Sequence, residues 1–336
     1  MQPDKFRRSN VTTIRVRNLS KQYEYYNKET GLSGSIKNLF FRKKLYKDAV
    51  NGVSFDIEQG SIIGLIGLNG AGKSTLIKML SGILKPSSGE INVLGFVPFE
   101  RKREFLNRIA MVAGNRSQLW WDIPAIDSFQ LIKTIYNIND SDFDEILNEI
   151  TEMLNVKHLL HVQLRRLSLG ERMKMEIIAS LLYSPDILYL DEPTIGLDIF
   201  SQVTIRKFLW LYNKRHKTTI IITSHNFDDF DSLCDRLIVI DKGYIKSDLG
   251  YDEFINKYAT DKTIVLSLNE EMVHDNYSCL EKWNYKKVGH EKENYEIKVQ
   301  NDESVICLNE LISVYGSALI DISIKNMDLK EIIQSM

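Results

Sequence analysis

The sequence predicts an α/β fold organised around a phosphate-binding loop. Three short apolar runs, SIIGLIG at 61–67, ILYLDE at 187–192 and TTIIITSH at 218–225, have the length and content of strands buried on both faces. Helical segments lie between them, and strands alternating with helices call for a parallel, doubly wound sheet. The glycine-rich stretch GLNGAGKS, 67–74, sits between the first of these strands and a helix.

The other elements follow in order. Residues 11–19, VTTIRVRNL, alternate as a half-buried strand, and 50–58, VNGVSFDIE, do the same. Between them lies an insertion, about 24–47, whose part 31–47 holds five Lys/Arg and no acids. Its stretch from Lys37 to Lys47, with Leu39, Phe40, Phe41 and Leu45, reads as a solvated face or as an amphipathic helix against anionic lipid. A helix over 75–84 ends before Pro86, and an SSGE turn leads to a strand INVLG. From about 100 to 186 the pattern is helical, as in FDEILNEITEMLNV. RLIVIDKGYIKSD reads as a hairpin turning at Lys242-Gly243. The pattern resets near Tyr258–Lys262. Residues 263–336 then read as a small α+β domain with strands TIVLSL, YKKVG, NYEIKV and ALIDISI, and helices ESVICLNELIS and LKEIIQSM.

Composition excludes several classes. A net charge of −2 over 336 residues gives no bias toward nucleic acid. Cys234, Cys279 and Cys307 show no CxxC spacing, so neither a zinc site nor a disulfide framework is expected. The N-terminal MQPDKFRRSNVTTIRV lacks the apolar core of a secretion signal, and no run of 18 apolar residues occurs. The expected location is the cytoplasm.

Gly67-Leu-Asn69-Gly70-Ala71-Gly72-Lys73-Ser74 matches G-x-x-x-x-G-K-[ST] in the required strand–helix context. Glycines let backbone N–H groups curl toward an anion, and the helix N-terminus adds partial positive charge. Lys73 suits the β- and γ-phosphates of a nucleotide, and the Ser74 hydroxyl suits Mg²⁺. Asp191 and Glu192 end a buried strand: Asp191 fits a metal-linked carboxylate, and Glu192 a general base for water. Gln118, in GNRSQLWWDIP, and His225, at another strand end, gain weight only from their order relative to these motifs. In LSLGE, Ser168 and Gly170 open a helix. They read either as a second anion-binding end or as an ordinary capping box with Glu171.

GLNGAGKST, SQLWW, LSLGERMKM, ILYLDEPTIGLD and TSH, in this order over about residues 11–250, resemble the ATP-binding subunit of an ABC transporter. The resemblance implies a P-loop NTPase with a mixed sheet core and a helical subdomain at about 100–186, spanning 1–258, followed by the α+β domain at 263–336. It implies ATP and Mg²⁺ as ligands and an ATPase activity. ATP would be held by Gly67, Asn69, Gly70, Ala71, Gly72, Lys73, Ser74 and Thr75, with Mg²⁺ on Ser74, Gln118 and Asp191. In that family two subunits, identical or related, sandwich two ATPs, so Ser168 and Gly170 would touch the partner's ATP. Asp198 in TIGLD would cross the interface, and His225 would contact the γ-phosphate. Gln118 would sense Mg²⁺ and water, Glu192 would activate that water, and Tyr23 would stack on adenine, with Tyr25 and Tyr46 as rivals. The signature departs from LSGGQ at Leu169 and Glu171 but keeps Gly170.

A membrane permease is the implied partner, docking near Leu119–Pro124 and holding the chain at the inner face of the cell membrane. Two adjacent tryptophans, Trp120 and Trp121, cannot both face one core from a strand, so either one is buried or the pair forms a docking anchor. The stretch GFVPFERKREFLNRIAMVAGNRSQLWWDIPAIDSF resembles the viologen and daunorubicin-type drug exporters, which implies export. The rival readings are a soluble non-transport ABC ATPase, a regulatory nucleotide-binding module, and a polysaccharide exporter, whose ATPase carries a sugar-binding β domain.

Overall fold

The computed structural model describes residues 12–26, 44–114, 117–231, 233–258, 260–269, 278–288, 294–327, 331–333 and 336. The chain forms two compact units, Met1–Leu249 and Gly250–Met336.

The strands of the first unit are β1 (Thr12–Tyr26), β2 (Lys44–Glu58), β3 (Ile62–Ile66), β4 (Ser88–Val93), β5 (Ile109–Ala113), β6 (Ile187–Asp191), β7 (Thr219–Ser224), β8 (Arg236–Asp241) and β9 (Tyr244–Gly250). Its helices are α1 (Lys73–Leu80), α2 (Arg103–Leu106), α3 (Ala125–Tyr136), α4 (Asp140–Met153), α5 (Leu169–Leu181) and α6 (Ile199–His216). Six strands form the central sheet in the order β5-β6-β7-β3-β8-β9. Its pairs from β5 to β8 are parallel. Every residue of β3 and β7 is buried, as expected of strands with helices on both faces. At Lys242 and Gly243 both φ values are positive, 48° and 84°, the conformation a two-residue hairpin turn needs. β2-β1-β4 make a separate antiparallel sheet, so the architecture is mixed.

Three local readings change. IAMVA at 109–113 lies in the stretch read as helical but is the edge strand β5; five apolar residues carry no periodicity to distinguish the two states. The SSGE turn is largely strand, since β4 starts at Ser88. β2 starts at Lys44, so Lys44–Lys47 of the basic stretch is strand rather than amphipathic helix, and 37–43 lie outside the described residues. The alternation of β1 and β2 is clear: Ile14, Val16, Val53, Phe55 and Ile57 enter a core shared with Leu76, Ile77 and Leu80 of α1.

Helices α3, α4 and α5 form the helical region. Asn137 ends α3 in the left-handed conformation, and the Asn139 side chain accepts the Asp142 N–H at 2.8 Å to start α4. Tyr136 stacks on Tyr183 with centroids 3.8 Å apart.

The second unit comprises α7 (Tyr251–Tyr258), β10 (Asp261–Leu268), α8 (Ser278–Lys282), β11 (Lys286–Val288), β12 (Asn294–Gln300), α9 (Ser304–Tyr315) and β13 (Leu319–Asn326). Its sheet order is β11-β12-β10-β13. Ile264, Leu266, Tyr295, Ile297, Cys307 and Leu311 make its core.

Tyr189, fully buried in β6, donates its hydroxyl to the Leu80 carbonyl at the end of α1, 3.3 Å away. Tyr189→Phe should lower stability by about 1 kcal/mol, readable as a smaller urea midpoint at unchanged slope.

Candidate functional site

The carboxyl ends of β3, β7, β6 and β5 converge, because parallel register aligns Ile66 with Ser224, Asp191 with Thr223, and Ala113 with Asp191. Ligand sites of open α/β sheets form at this end. Here β3 runs into the 67–75 loop. Gly72 caps α1 with φ 115°, and a Cβ there would lie 2.3 Å from the Ala49 carbonyl oxygen. Only glycine fits such a position.

Lys73 is 5% exposed and donates to the carbonyls of Gly67 (2.6 Å) and Leu68 (3.3 Å). Burial pushes its pKa down, opposed by the charges of Glu192 and Asp191. Its Nζ lies 3.9 Å from Glu192. Ser74 Oγ donates to Asp191 Oδ1 at 3.0 Å, and Thr223 Oγ1 donates to the same oxygen at 2.7 Å. A hydroxyl beside a carboxylate is a hard-oxygen donor set, which fits Mg²⁺. Glu192 leaves the strand with φ 54°, its N–H bound to Thr223 Oγ1 at 3.0 Å. Its carboxylate lies 3.3 Å from His225 Nδ1. A positive φ on a glutamate is uncommon and concentrates at functional sites.

A cleft of 250 Å³ runs along Asn69–Thr75 with Glu192 and Tyr23 on its wall. Tyr25 and Tyr46 do not line that cleft. A neighbouring cavity of 320 Å³ is shared by Ser74, Asp191, Gln118 and Glu176. Thus the structure gathers Lys73, Ser74, Asp191, Glu192 and His225, with Gln118 across the adjoining cavity.

Sequence reasoning passed over three residues that organise these groups. Thr223 joins Asp191 to Glu192. Glu176, 5% exposed on α5, accepts from Ser117 Oγ (2.5 Å) and from the N–H groups of Gln118 (3.1 Å) and Leu119 (3.3 Å). An acid inside the apolar run KMEIIAS was its available signal. Asp229 accepts from Thr194 (2.7 Å), Ser224 (2.6 Å) and Arg206 (3.0 Å), tying the loop after β6 to the end of β7.

Ser168, Gly170 and Asp198 form a separate cluster, and none of them lines the cleft along Asn69–Thr75. Ser168 is the N-cap of α5 in a full capping box with Glu171. Its N–H donates to Glu171 Oε2 at 2.8 Å. A Cβ on Gly170 would come 2.2 Å from Ser201 Oγ. Asp198 caps α6 by accepting from Ser201, whose bonds hold its carboxyl below the usual range. Around it Leu169, Ile195, Ile199, Phe200 and Val203 are exposed.

At Leu119–Pro124 only Leu119 is buried. Trp120 and Trp121 are 57% and 49% exposed, and the Arg172 guanidinium lies 4.6 Å from the Trp121 ring. No described helix is long and apolar enough to cross a membrane.

Residues 50–195 match the family described as ABC transporter. The chain is 33% identical over 204 residues to the ABC transporter ATP-binding protein NatA of Bacillus subtilis (strain 168), covering 61% of this chain and 82% of that one. It is 30% identical over 211 residues to the bacitracin transport ATP-binding protein BcrA of Bacillus licheniformis, covering 62% and 68%. Among solved structures, an ATP-binding subunit of an ABC transporter superposes with a TM-score of 0.60 at 22% identity, covering 74% of this chain and 93% of that one. That likeness concerns the fold. With a phosphate loop, a hydroxyl–carboxylate pair and a strand-end glutamate at the carboxyl end of one sheet, the chain belongs to the ABC transporter ATP-binding proteins, ATPases that use ATP with Mg²⁺.

Proposed function

We propose that this chain powers an exporter, closing on ATP with a second copy or a related ATPase and driving a separate transmembrane permease. The observation that carries this reading is the division of the chemistry. The cleft of Lys73 holds the phosphate loop and Glu192, whereas the Ser168–Gly170 turn belongs to another cluster beside exposed apolar residues. Completing the cleft with such a turn then calls for a second ATPase.

In this reading Lys73 and the loop N–H groups hold the phosphates, and Tyr23, exposed on the cleft wall, stacks on adenine. Ser74 and Asp191 would hold Mg²⁺, which would neutralise phosphate charge there. Glu192 takes the proton of the attacking water, and His225 orients its carboxylate toward the γ-phosphate. Gln118 reports the state of this centre to the loop Leu119–Pro124, whose exposed Trp120 and Trp121 suit a docking anchor for the permease. The chain would then sit at the cytoplasmic face of the membrane.

Export is supported by the sequence resemblance of 95–129 to drug exporters and by the likeness to BcrA, whose name denotes bacitracin transport. The helices α8 and α9 of the second unit argue against a sugar-binding β domain.

Glu192→Gln should keep ATP affinity and lower turnover at least about a hundredfold, as loss of a general base does, with phosphate release as the readout. Gly170→Val should leave nucleotide binding at the Lys73 loop intact and abolish hydrolysis; full activity in that variant contradicts the two-copy reading. Glu176→Gln removes one acceptor oxygen from the 117–119 loop and should weaken its anchoring by about 1.5–3 kcal/mol. Faster amide exchange at Gln118 and Leu119 with unchanged ATP affinity is the expected result.

A further inference from the structure

The second unit leaves one sheet edge open. β13 pairs with β10 on its inner side, and among the described residues no strand pairs with its outer side. An eight-residue edge strand without proline presents a row of N–H and C=O groups ready for another strand. Its side chains sort into two faces. Ile322 and Ile324 stand opposite Leu266 and Ile264, both fully buried, and so lie on the face carrying the helices. Asp321, Ser323 and Lys325 stand opposite Ser267, Val265 and Thr263 on the other face. Asp321 and Lys325 are exposed, and neither is in an ion pair among the described residues.

Helix α9 packs on β10 and β12 of this sheet. Its Glu310 flank meets Lys282 and Trp283 at the end of α8, at 2.7 and 2.9 Å. At 100° per residue, Val305 and Ile312 fall on the opposite flank. α9 links β12 to β13 and crosses β10, so that flank looks toward β13. Val305 is 62% exposed and Ile324 44% exposed, so both present apolar surface to solvent.

The charges indicate the occupant. Asp321 and Lys325 are of opposite sign, on one face, each two residues from Ser323. An antiparallel strand related by a two-fold axis at Ser323 sets each Asp321 opposite the second copy's Lys325, and each Ile322 opposite Ile324. We infer that two copies of this chain pair β13 to β13 in that register, forming a continuous eight-stranded sheet with the two α9 flanks adjacent across the axis. This surface is independent of the ATP-driven closure and operates without nucleotide.

The test is sedimentation of the full chain in nucleotide-free buffer. Wild type should be dimeric at micromolar concentration. Asp321→Lys places like charges opposite each other twice and should raise the dissociation constant at least about tenfold. Adding Lys325→Asp to Asp321→Lys should restore the dimer. Ser323→Cys should form a disulfide-linked dimer under mild oxidation, since Cys234, Cys279 and Cys307 are buried. A wild-type monomer overturns the proposal, as does a dimer insensitive to Asp321→Lys or a double variant that stays dissociated; a different protein bound at this edge would leave the charge swap without rescue.

Discussion

One oxygen of Asp191 receives two hydroxyls, Ser74 Oγ from the head of α1 and Thr223 Oγ1 from β7. Three separate pieces of chain are thereby brought to one point: the helix under the phosphate loop, the acid-bearing strand and the strand that leads into His225. The pairing is possible only because parallel register puts the ends of these strands level. A slip of one residue in β6 would turn Asp191 to the other face of the sheet, away from Ser74 and Thr223. Burial of the whole strand, Ile187 to Leu190, opposes such a slip. Hydrophobic packing thus fixes the position of the polar chemistry.

The same economy governs the charges. Lys73 is almost wholly buried, yet its ammonium has two carbonyl acceptors and a carboxylate within 4 Å, so desolvation is offset where a phosphate would bind. Glu176 is an acid in an apolar helix face, tolerated because one hydroxyl and two backbone N–H groups converge on it. Asp229 is the third such case, with three donors. Each buried acid joins segments distant in sequence, so the loops at the carboxyl end of the sheet are tied by charge-assisted hydrogen bonds.

Much of this was legible beforehand, for a physical reason. The phosphate loop and the acids after ILYL combine local backbone requirements with apolar runs, both written in consecutive residues. The strand–helix alternation followed from the same signals. What escaped were the links that depend on tertiary neighbours. IAMVA becomes a strand because Asp186 and Ile187 present β6 beside it, and no periodicity of its own says so. Thr223 and Glu176 carry no motif; their importance arises from who faces them. Ser168 was legible in part. The capping box was one of two readings the residues allow, and it is present.

Gly114 follows β5 at the start of the loop that carries Gln118. A Cβ at this position would lie 2.2 Å from the carbonyl oxygen of Glu192, whose own φ is positive. The backbone leaving β5 therefore rests directly on the backbone bearing the carboxylate, with no side chain as a cushion. Any side chain at 114 would push residue 192 off the position in which its N–H meets Thr223 Oγ1. The turn after β5 and the turn after β6 are therefore fitted to each other backbone to backbone, and residue 114 sets how closely they meet.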